Sequence, residues 1–336
     1  MRRATLRLYA VLLLALAAVS AGVTAQKQDA SPGKSAATLP ERIWRDPGDM
    51  ASLDLRYGAG GKAHAPDPRG TYTFISEDTL ATNPKFDVVD GRGVEWKVKL
   101  GEESQSETAA TRFLWAAGYF VDEDYFVAEL PVKGLPTLQR GEEFVSSGGI
   151  VHGARLERKR TTVEKVGDWD WFENPFLGRR ELNGLRVMMA LMNSWDLKDV
   201  NNAIYVVGGE RHYAISDAGT AFGKSGMAGS RSKGDPRDYA GSKFIAKVEG
   251  TSVDFVLHSR PFFLMAVAVT NYLERSKMEQ ITKDIPRADA RWLGQRLSRL
   301  SDRQIRDAFR AAGYGAGDVD ILAKAIRKRI AALKAL

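Results

Sequence analysis

The hexapeptide Asp196-Leu197-Lys198-Asp199-Val200-Asn201 gathers acids, an amide and a lysine in one short polar stretch. Just after it, two strand-like runs, Ala203 to Val207 and His212 to Ile215, flank the turn Gly208-Gly209, and Asp217-Ala218-Gly219 follows the second run. A hairpin returns its second strand beside its first, so Asn201 and Asp217 should sit close together, with Asp196 one turn away. Two carboxylates and an amide then converge with a lysine. Such an oxygen-rich cluster suits Mg²⁺, which binds through one or two carboxylates together with phosphate oxygens. Taken singly, Asp196 is an ordinary solvated turn residue and Asn201 or Asn202 an ordinary turn former. Only their order around a hairpin points to chemistry.

Composition narrows the alternatives. The 336 residues carry 49 Lys+Arg against 42 Asp+Glu, with 44% hydrophobic and 27% charged residues, the profile of a folded globular chain. Without cysteine there is no disulfide framework, thiolate zinc site, iron–sulfur cluster or cysteine nucleophile. The histidines, at 64, 152, 212 and 258, lack the HxxxH or HxH spacing of a helix-borne zinc site. Basic residues are spread out rather than interleaved with aromatics, so no nucleic-acid partner is expected. A site must be built from carboxylates, amides, hydroxyls and lysines.

The elements that hold such a site read as an α+β plan. Residues 41–150 form a β-rich half: strands at Thr71 to Ile75, Lys85 to Val89 and Val94 to Leu100, with one helix from Gln105 to Ala117. That helix has a capping box of Ser104 and Glu107, an apolar stripe of Ala110, Phe113, Leu114 and Ala117, and Gly118 where a C-terminal cap belongs. Glu107 shares the stripe's face, where a charge needs a partner. Residues 151–336 are mainly helical. The spacing predicts a helix over Arg180 to Ser194, a core helix in the apolar run Phe262 to Val269, and three amphipathic helices from Arg287 onward, one opened by Ser301-x-x-Gln304. Residues 223 to 243 lack periodicity and read as a mobile loop. Trp169, Trp171 and Phe172 read as core or hinge wall. A β-rich lobe before a larger helical lobe puts the natural ligand site in the cleft between them.

At this point the residues resemble a known superfamily. Asp-Leu-Lys-x-x-Asn, a hairpin and Asp-x-Gly is similar to the catalytic loop and metal-binding motif of protein-kinase-like enzymes. Upstream, Trp96-Lys97-Val98-Lys99-Leu100-Gly101-Glu102-Glu103 followed by Glu107 resembles the atypical branch that includes phosphoinositide kinases. The likeness covers about residues 70 to 225 and implies a two-lobed protein-kinase-like fold that binds ATP, or another nucleoside triphosphate, with Mg²⁺ or Mn²⁺. On that resemblance, Lys99 holds the α/β-phosphates and Glu107 orients it. Asp196 accepts or positions the acceptor proton, Lys198 touches the γ-phosphate, and Asn201 and Asp217 ligate the metal. Lys97 and Lys99 share a strand face, so either could be the phosphate lysine.

The departures are specific. Trp195 precedes Asp196 where an arginine is usual, Ala218 follows Asp217 where a phenylalanine is usual, and no Ala-Pro-Glu or GxGxxG is present, which points to an atypical kinase. The loop between the strands near Ile75 and Phe86 is the expected phosphate cover. Gly219-Thr220-Ala221-Phe222-Gly223-Lys224-Ser225 mimics a Walker loop, but it is one residue short between the glycines and leads into a poor helix start. Two functions follow: a phosphoryl or nucleotidyl transferase acting on an unknown acceptor, or a pseudokinase that only binds a nucleotide or protein partner in the cell envelope. Export is expected because Arg2, Arg3 and Arg7 precede the apolar stretch Leu8 to Val19 and Val23-Thr24-Ala25 offers a cleavage site after Ala25. Residues 26–40 read as a flexible leader. The mature chain is expected to be a periplasmic or secreted monomer with no membrane span.

Overall fold

The computed structural model describes residues 39–336 except 80–82, 226–230 and 258–268. The signal peptide, most of the leader and nearly all of the expected Phe262–Val269 helix lie outside the described residues. So does the middle of the expected phosphate-covering loop.

A two-residue strand, β1 (Glu41–Arg42), opens the described chain, and short 3₁₀ turns at Met50–Ser52 and Gly58–Gly60 carry it to the first sheet. In β2 (Tyr72–Asp78), β3 (Lys85–Asp90) and β4 (Glu95–Lys99) the period of two is plain: Phe86 and Val88 are buried on one strand, Trp96 and Val98 on the next. Helix α1 (Glu103–Ala116) and the short β5 (Phe120–Val121) follow. After them come β6 (Asp124–Lys133), β7 (Val145–Ser146), β8 (Ile150–Arg158) and β9 (Glu164–Gly167). The pairing runs β4-β3-β2-β6-β8, and β4 also pairs with β8, so five strands close into a ring, with β7 paired to the first residues of β8. Tyr72, Phe86, Trp96, Tyr125, Leu130 and Leu156 belong to the apolar core of this sheet. Ile150, where the sequence divides the two halves, is the first residue of β8, which pairs inside this first sheet.

Beyond the ring, α2 (Arg180–Met192) leads to the hairpin β10 (Asn202–Val207) and β11 (Glu210–Ile215), with the turn at Gly208-Gly209 as expected. The helix stops two residues short of Ser194 because Asn193 takes a left-handed φ of 56° and caps it. Strands β9, β10, β11 and β1 make a second sheet, with β5 also against β11. The stretch expected to be a mobile loop contains α3 (Pro236–Gly241), started by Pro236 and by Asp235, whose carboxylate accepts from the amides of Arg237 and Asp238. Too short to show periodicity, this helix is invisible to a pattern search. A small sheet of β12 (Ile245–Glu249), β13 (Ser252–Phe255) and β14 (Ile285–Pro286) flanks α4 (Val269–Gln280). The expected trio closes the chain: α5 (Arg287–Leu297), α6 (Asp302–Ala311) and α7 (Ala316–Lys334), with the Ser301–Gln304 capping box formed. The architecture is α+β. No helix among the described residues is long and apolar enough to cross a membrane.

Helix α1 is the seam. Phe113 packs on Phe222 and Phe309 of the helical half, with ring centroids 5.9 and 5.2 Å apart, while the first turns of α1 face the ring of strands. The expected Ser104–Glu107 capping box does not form. The helix begins two residues earlier, at Glu103, and Ser104 Oγ donates to the carbonyl of Lys99 instead. Glu107 is thereby released for a different partner.

Candidate active site

Cross-strand register decides which charges meet. Lys99 on β4 lies opposite Lys85 on β3 and opposite Arg155 on β8, which sets three cations side by side on neighbouring strands. Such a row folds only if carboxylates arrive to match it. Those from α1 arrive first: Lys99 Nζ, fully buried, donates to Glu107 Oε2 at 2.9 Å and lies 2.5 Å from Glu103 Oε2. From the far side of the cleft comes Asp217, with its carboxylate oxygens 3.3 and 3.4 Å from the same ammonium. Arg155 takes Asp124 at 2.5 Å and Glu157 at 3.1 Å, and its Nε lies 3.2 Å from the same Glu107 Oε2 that Lys99 reaches.

The Asp196–Asn201 stretch is fastened to the Asp217 segment mainly through backbone. Asn201's carbonyl accepts from the amides of Ser216 (2.9 Å) and Asp217 (3.1 Å), and its side-chain amide donates to the carbonyl of Asp196 at 2.7 Å. Thr220 Oγ1 accepts from the amides of Trp195 and Asp196, both at 3.1 Å, which ties the Asp217 segment to the Asp196 loop as one piece. Ser106 on α1 donates to the carbonyl of Gly219 and ties the same piece to the helix that carries Glu107. Asp196 pairs with Lys198 at 3.3 Å.

Asp196, Lys198, Asn201, Asp217 and Thr220 line a cleft of about 490 Å³ between the ring and the helical half, together with Asn83, Lys85, Glu103, Arg231, Lys233 and Arg275, whereas Lys99 is fully buried and meets the lining only through Glu103 and Asp217. A larger cavity of about 660 Å³, bordered by Tyr57, Pro66, Tyr125 and Arg310, holds none of them. Glu103 bridges two cations, Lys99 and Lys233 Nζ at 2.5 Å, and also accepts from Asn83 at 2.6 Å.

Electrostatics separate the groups. Burial opposes the charge of Lys99, but Glu107, Asp217 and Glu103 outweigh it and raise the ammonium above the ordinary lysine range. Burial likewise works against Asp217, yet Lys99, the Gly219 amide and Arg155 hold it below the ordinary Asp value. Glu103 is held down in the same way, chiefly by Lys99 against burial. Burial pushes Glu107 up to about 7 against the pull of Arg155 and Lys99. Lys85, beside Lys99, is lowered by burial and by that neighbour's charge.

Asp217 suits a hard cation: it is ionised, and its side chain is 30% exposed toward the cleft. Asn201 fits beside it, because its amide N–H is committed to Asp196 and its Oδ1 makes no hydrogen bond among the described residues. The sequence therefore brings together Lys99, Glu107, Asp196, Lys198, Asn201 and Asp217. Lys97 is half-buried beside Asp87 and Glu157 on the neighbouring strands and, like Lys99, is not among the residues that line the cleft. In the Walker-like stretch Lys224 and Ser225 are not helical and Lys224 pairs with Asp238, while residues 226–230 lie outside the described residues. Trp169 and Trp171 are core residues, as expected, whereas Phe172 is exposed.

Sequence reasoning missed Glu103, Lys85, Arg155 and Lys233. Glu103 sits four residues after Lys99 and four before Glu107, a spacing that could have found it. Arg155 enters only through the β4–β8 register, which no local pattern announces.

No family model matches the chain, and no curated protein matches it. Among solved structures, the crystal structure of a Helicobacter pylori proinflammatory kinase, CtkA, is similar with a TM-score of 0.44 and 12% sequence identity. The match covers 79% of this chain and 96% of that one.

Proposed function

We propose that the cleft binds a nucleoside triphosphate with Mg²⁺ and transfers its terminal phosphoryl group to a hydroxyl acceptor, as an atypical kinase on a two-lobed kinase-like framework. One observation carries this reading: a single buried lysine, Lys99, joined both to a carboxylate on the seam helix and to the carboxylate that ends the hairpin. The motif order in the sequence supports the same assignment. Lys99, Lys85 and Lys233 supply positive charge for phosphate oxygens. Glu103 now spans Lys99 and Lys233, so an incoming phosphate takes over contacts that this carboxylate holds. Asn201 and Asp217 would hold the metal, which when bound neutralises phosphate charge. Asp196 takes the proton of the acceptor hydroxyl as its oxygen bonds to phosphorus and the bond to the leaving nucleoside diphosphate breaks.

The test is transfer of labelled γ-phosphate by wild type and by Asp196→Ala. Loss of transfer with nucleotide binding retained supports the enzyme, because Asp196 acts only on the acceptor and in the transition state. Tight nucleotide binding by wild type, with transfer no higher than in Asp196→Ala, refutes it in favour of a binding module.

A further inference from the structure

The cavity of about 660 Å³ that holds none of the cleft's groups has a chemistry of its own. Its walls are the segment from Arg56 to Pro68, strand β6 from Tyr125 to Ala128, and the end of α6 with the turn after it, and Arg112 of α1 lines it between them. Arg112 is 1% exposed, and its guanidinium is poorly satisfied. Among the described residues only Nη2 donates, to the carbonyl of Asp124 at 2.6 Å; Nε has no acceptor, and no carboxylate pairs with the group. The carboxylate of Asp124 is taken by Arg155 instead. Tyr125 offers a ring face 5.3 Å from the guanidinium carbon, which eases the charge without neutralising it. Burial lowers the group to about 10, with Asp124, Tyr125 and Asp54 opposing it. The chain nevertheless closes tightly on this side chain: Gly58 has a φ of 68°, and a Cβ there would sit 2.5 Å from Arg112 Cδ and Nη1. A cation buried this way is relieved by an anion, and a guanidinium fork matches an oxyanion in geometry.

The rim points the same way. Arg56, Lys62 and Arg310 are exposed there, and Arg56 and Lys62 make no ion pair among the described residues. Asp307, the acid in the lining, is already held by Arg310 at 3.0 Å and Arg303 at 3.6 Å. Between the cations the walls are ring and hydrocarbon, from Tyr57, Pro66, Tyr125 and Phe126. A bare inorganic anion meets the guanidinium and leaves those faces wet. A volume of this size and lining suits a small organic molecule that carries the charge at one end.

We propose that this cavity is a second ligand site, separate from the cleft, for a small organic anion: an oxyanion that Arg112 engages, carried on a planar ring body that lies against Tyr57, Tyr125 and Phe126. The site does not depend on what the cleft binds. The experiment titrates the full chain with anilinonaphthalene sulfonate, a planar aromatic anion whose fluorescence rises when it is bound. Beside it runs phenylnaphthylamine, the same rings without the sulfonate.

Arg112→Met, which removes an unpaired buried charge and keeps much of its volume, should fold and should weaken the sulfonate by about tenfold. The neutral dye should change by less than about twofold in the same variant. Ala128→Trp, at an exposed strand position on the cavity wall, should weaken both dyes. Sulfonate binding that survives both variants, or that is lost in Lys85→Met of the cleft instead, overturns the inference. So does a wild type that binds no sulfonate dye up to about 1 mM. Displacement of the dye by inorganic sulfate at the dye's own affinity also overturns it, because the ring faces would then add nothing. If Arg112→Met fails to melt cooperatively, the exposed Lys62→Glu carries the charge test: it should weaken the sulfonate by about threefold and spare the neutral dye. No change in Lys62→Glu together with none in Ala128→Trp would refute the site.

Discussion

Two buried cations, Lys99 and Arg155, face each other across β4 and β8, share Glu107, and do opposite things with the rest of their surroundings. Arg155 is closed in. Its other ion-pair partners, Asp124 and Glu157, come from within the strand ring, and neither lines the cleft. Lys99 is matched by Glu103 and Asp217, both of which line the cleft. A guanidinium offers a rigid fork that fixes several carboxylates in place, whereas an ammonium is a point charge whose partners can be exchanged. The difference teaches that one hub is matched mainly from within the strands, while the other shares its partners with the cleft.

The two hubs should fail differently. Arg155→Met leaves buried carboxylates without a cation and should cost about 3–5 kcal/mol in urea unfolding. A loss below about 1 kcal/mol would mean that Arg155 is not the structural member of the pair. Lys99→Met should cost less, about 1–3 kcal/mol, because Lys233 still holds Glu103 and Asp217 can turn to water in the cleft. Its main effect should be on ligand binding. Equal destabilisation by the two variants would erase the contrast.

The same contrast extends to protons. On the closed side, burial, Glu157 and Asp124 push Asp122 up to about 8 against the pull of Arg160, while on the cleft side Glu103 and Asp217 lie below their ordinary values. A carboxyl raised in the folded state binds its proton more tightly there, so the stability it contributes is lost as pH rises through its folded value. The melting temperature should therefore fall between about pH 6 and 9, and Asp122→Asn, which mimics the protonated acid, should flatten that slope. The depressed pair has the opposite sign. Its contribution is present above the ordinary carboxylate range and is lost as pH falls below it. A melting temperature that climbs from pH 6 to 9 in wild type would contradict the assignment for Asp122.

The smallest effect is reserved for Lys97. It shares the β4 face with Lys99 but sits between Asp87 and Glu157 on the neighbouring strands. Lys97→Met should change stability by no more than about 0.5 kcal/mol and leave nucleotide binding intact. A loss of binding as large as that of Lys99→Met would move the phosphate lysine to position 97.

What the sequence disclosed of this arrangement was local or nearly so. The Asn201–Asp217 approach follows from a tight hairpin, and the three final helices follow from periodicity and a capping box. The period of two left Lys97 and Lys99 open as alternatives, and the packing of α1 joins Glu107 to Lys99. Ser104 and Glu107 look like a capping box because the motif is short. The helix starts earlier, and the unmatched charge of Lys99 claims the glutamate. Arg155 was beyond reach because its role depends on ring closure between strands more than fifty residues apart. Lys233 was hidden in a stretch whose six-residue helix is fixed by a proline and an aspartate cap rather than by an apolar stripe.

The central claim is that Lys99, Asn201 and Asp217 form one site for a nucleotide and its metal. The most direct measurement is the thermal unfolding of the full chain with ATP, Mg²⁺, both or neither, in wild type and in Asp217→Ala. Wild type should be stabilised only when both are present, by about 2.7 kcal/mol at 100 times the dissociation constant, and Asp217→Ala should fold but lose that gain. Equal stabilisation of Asp217→Ala, or none in wild type at any nucleotide concentration, would contradict the account.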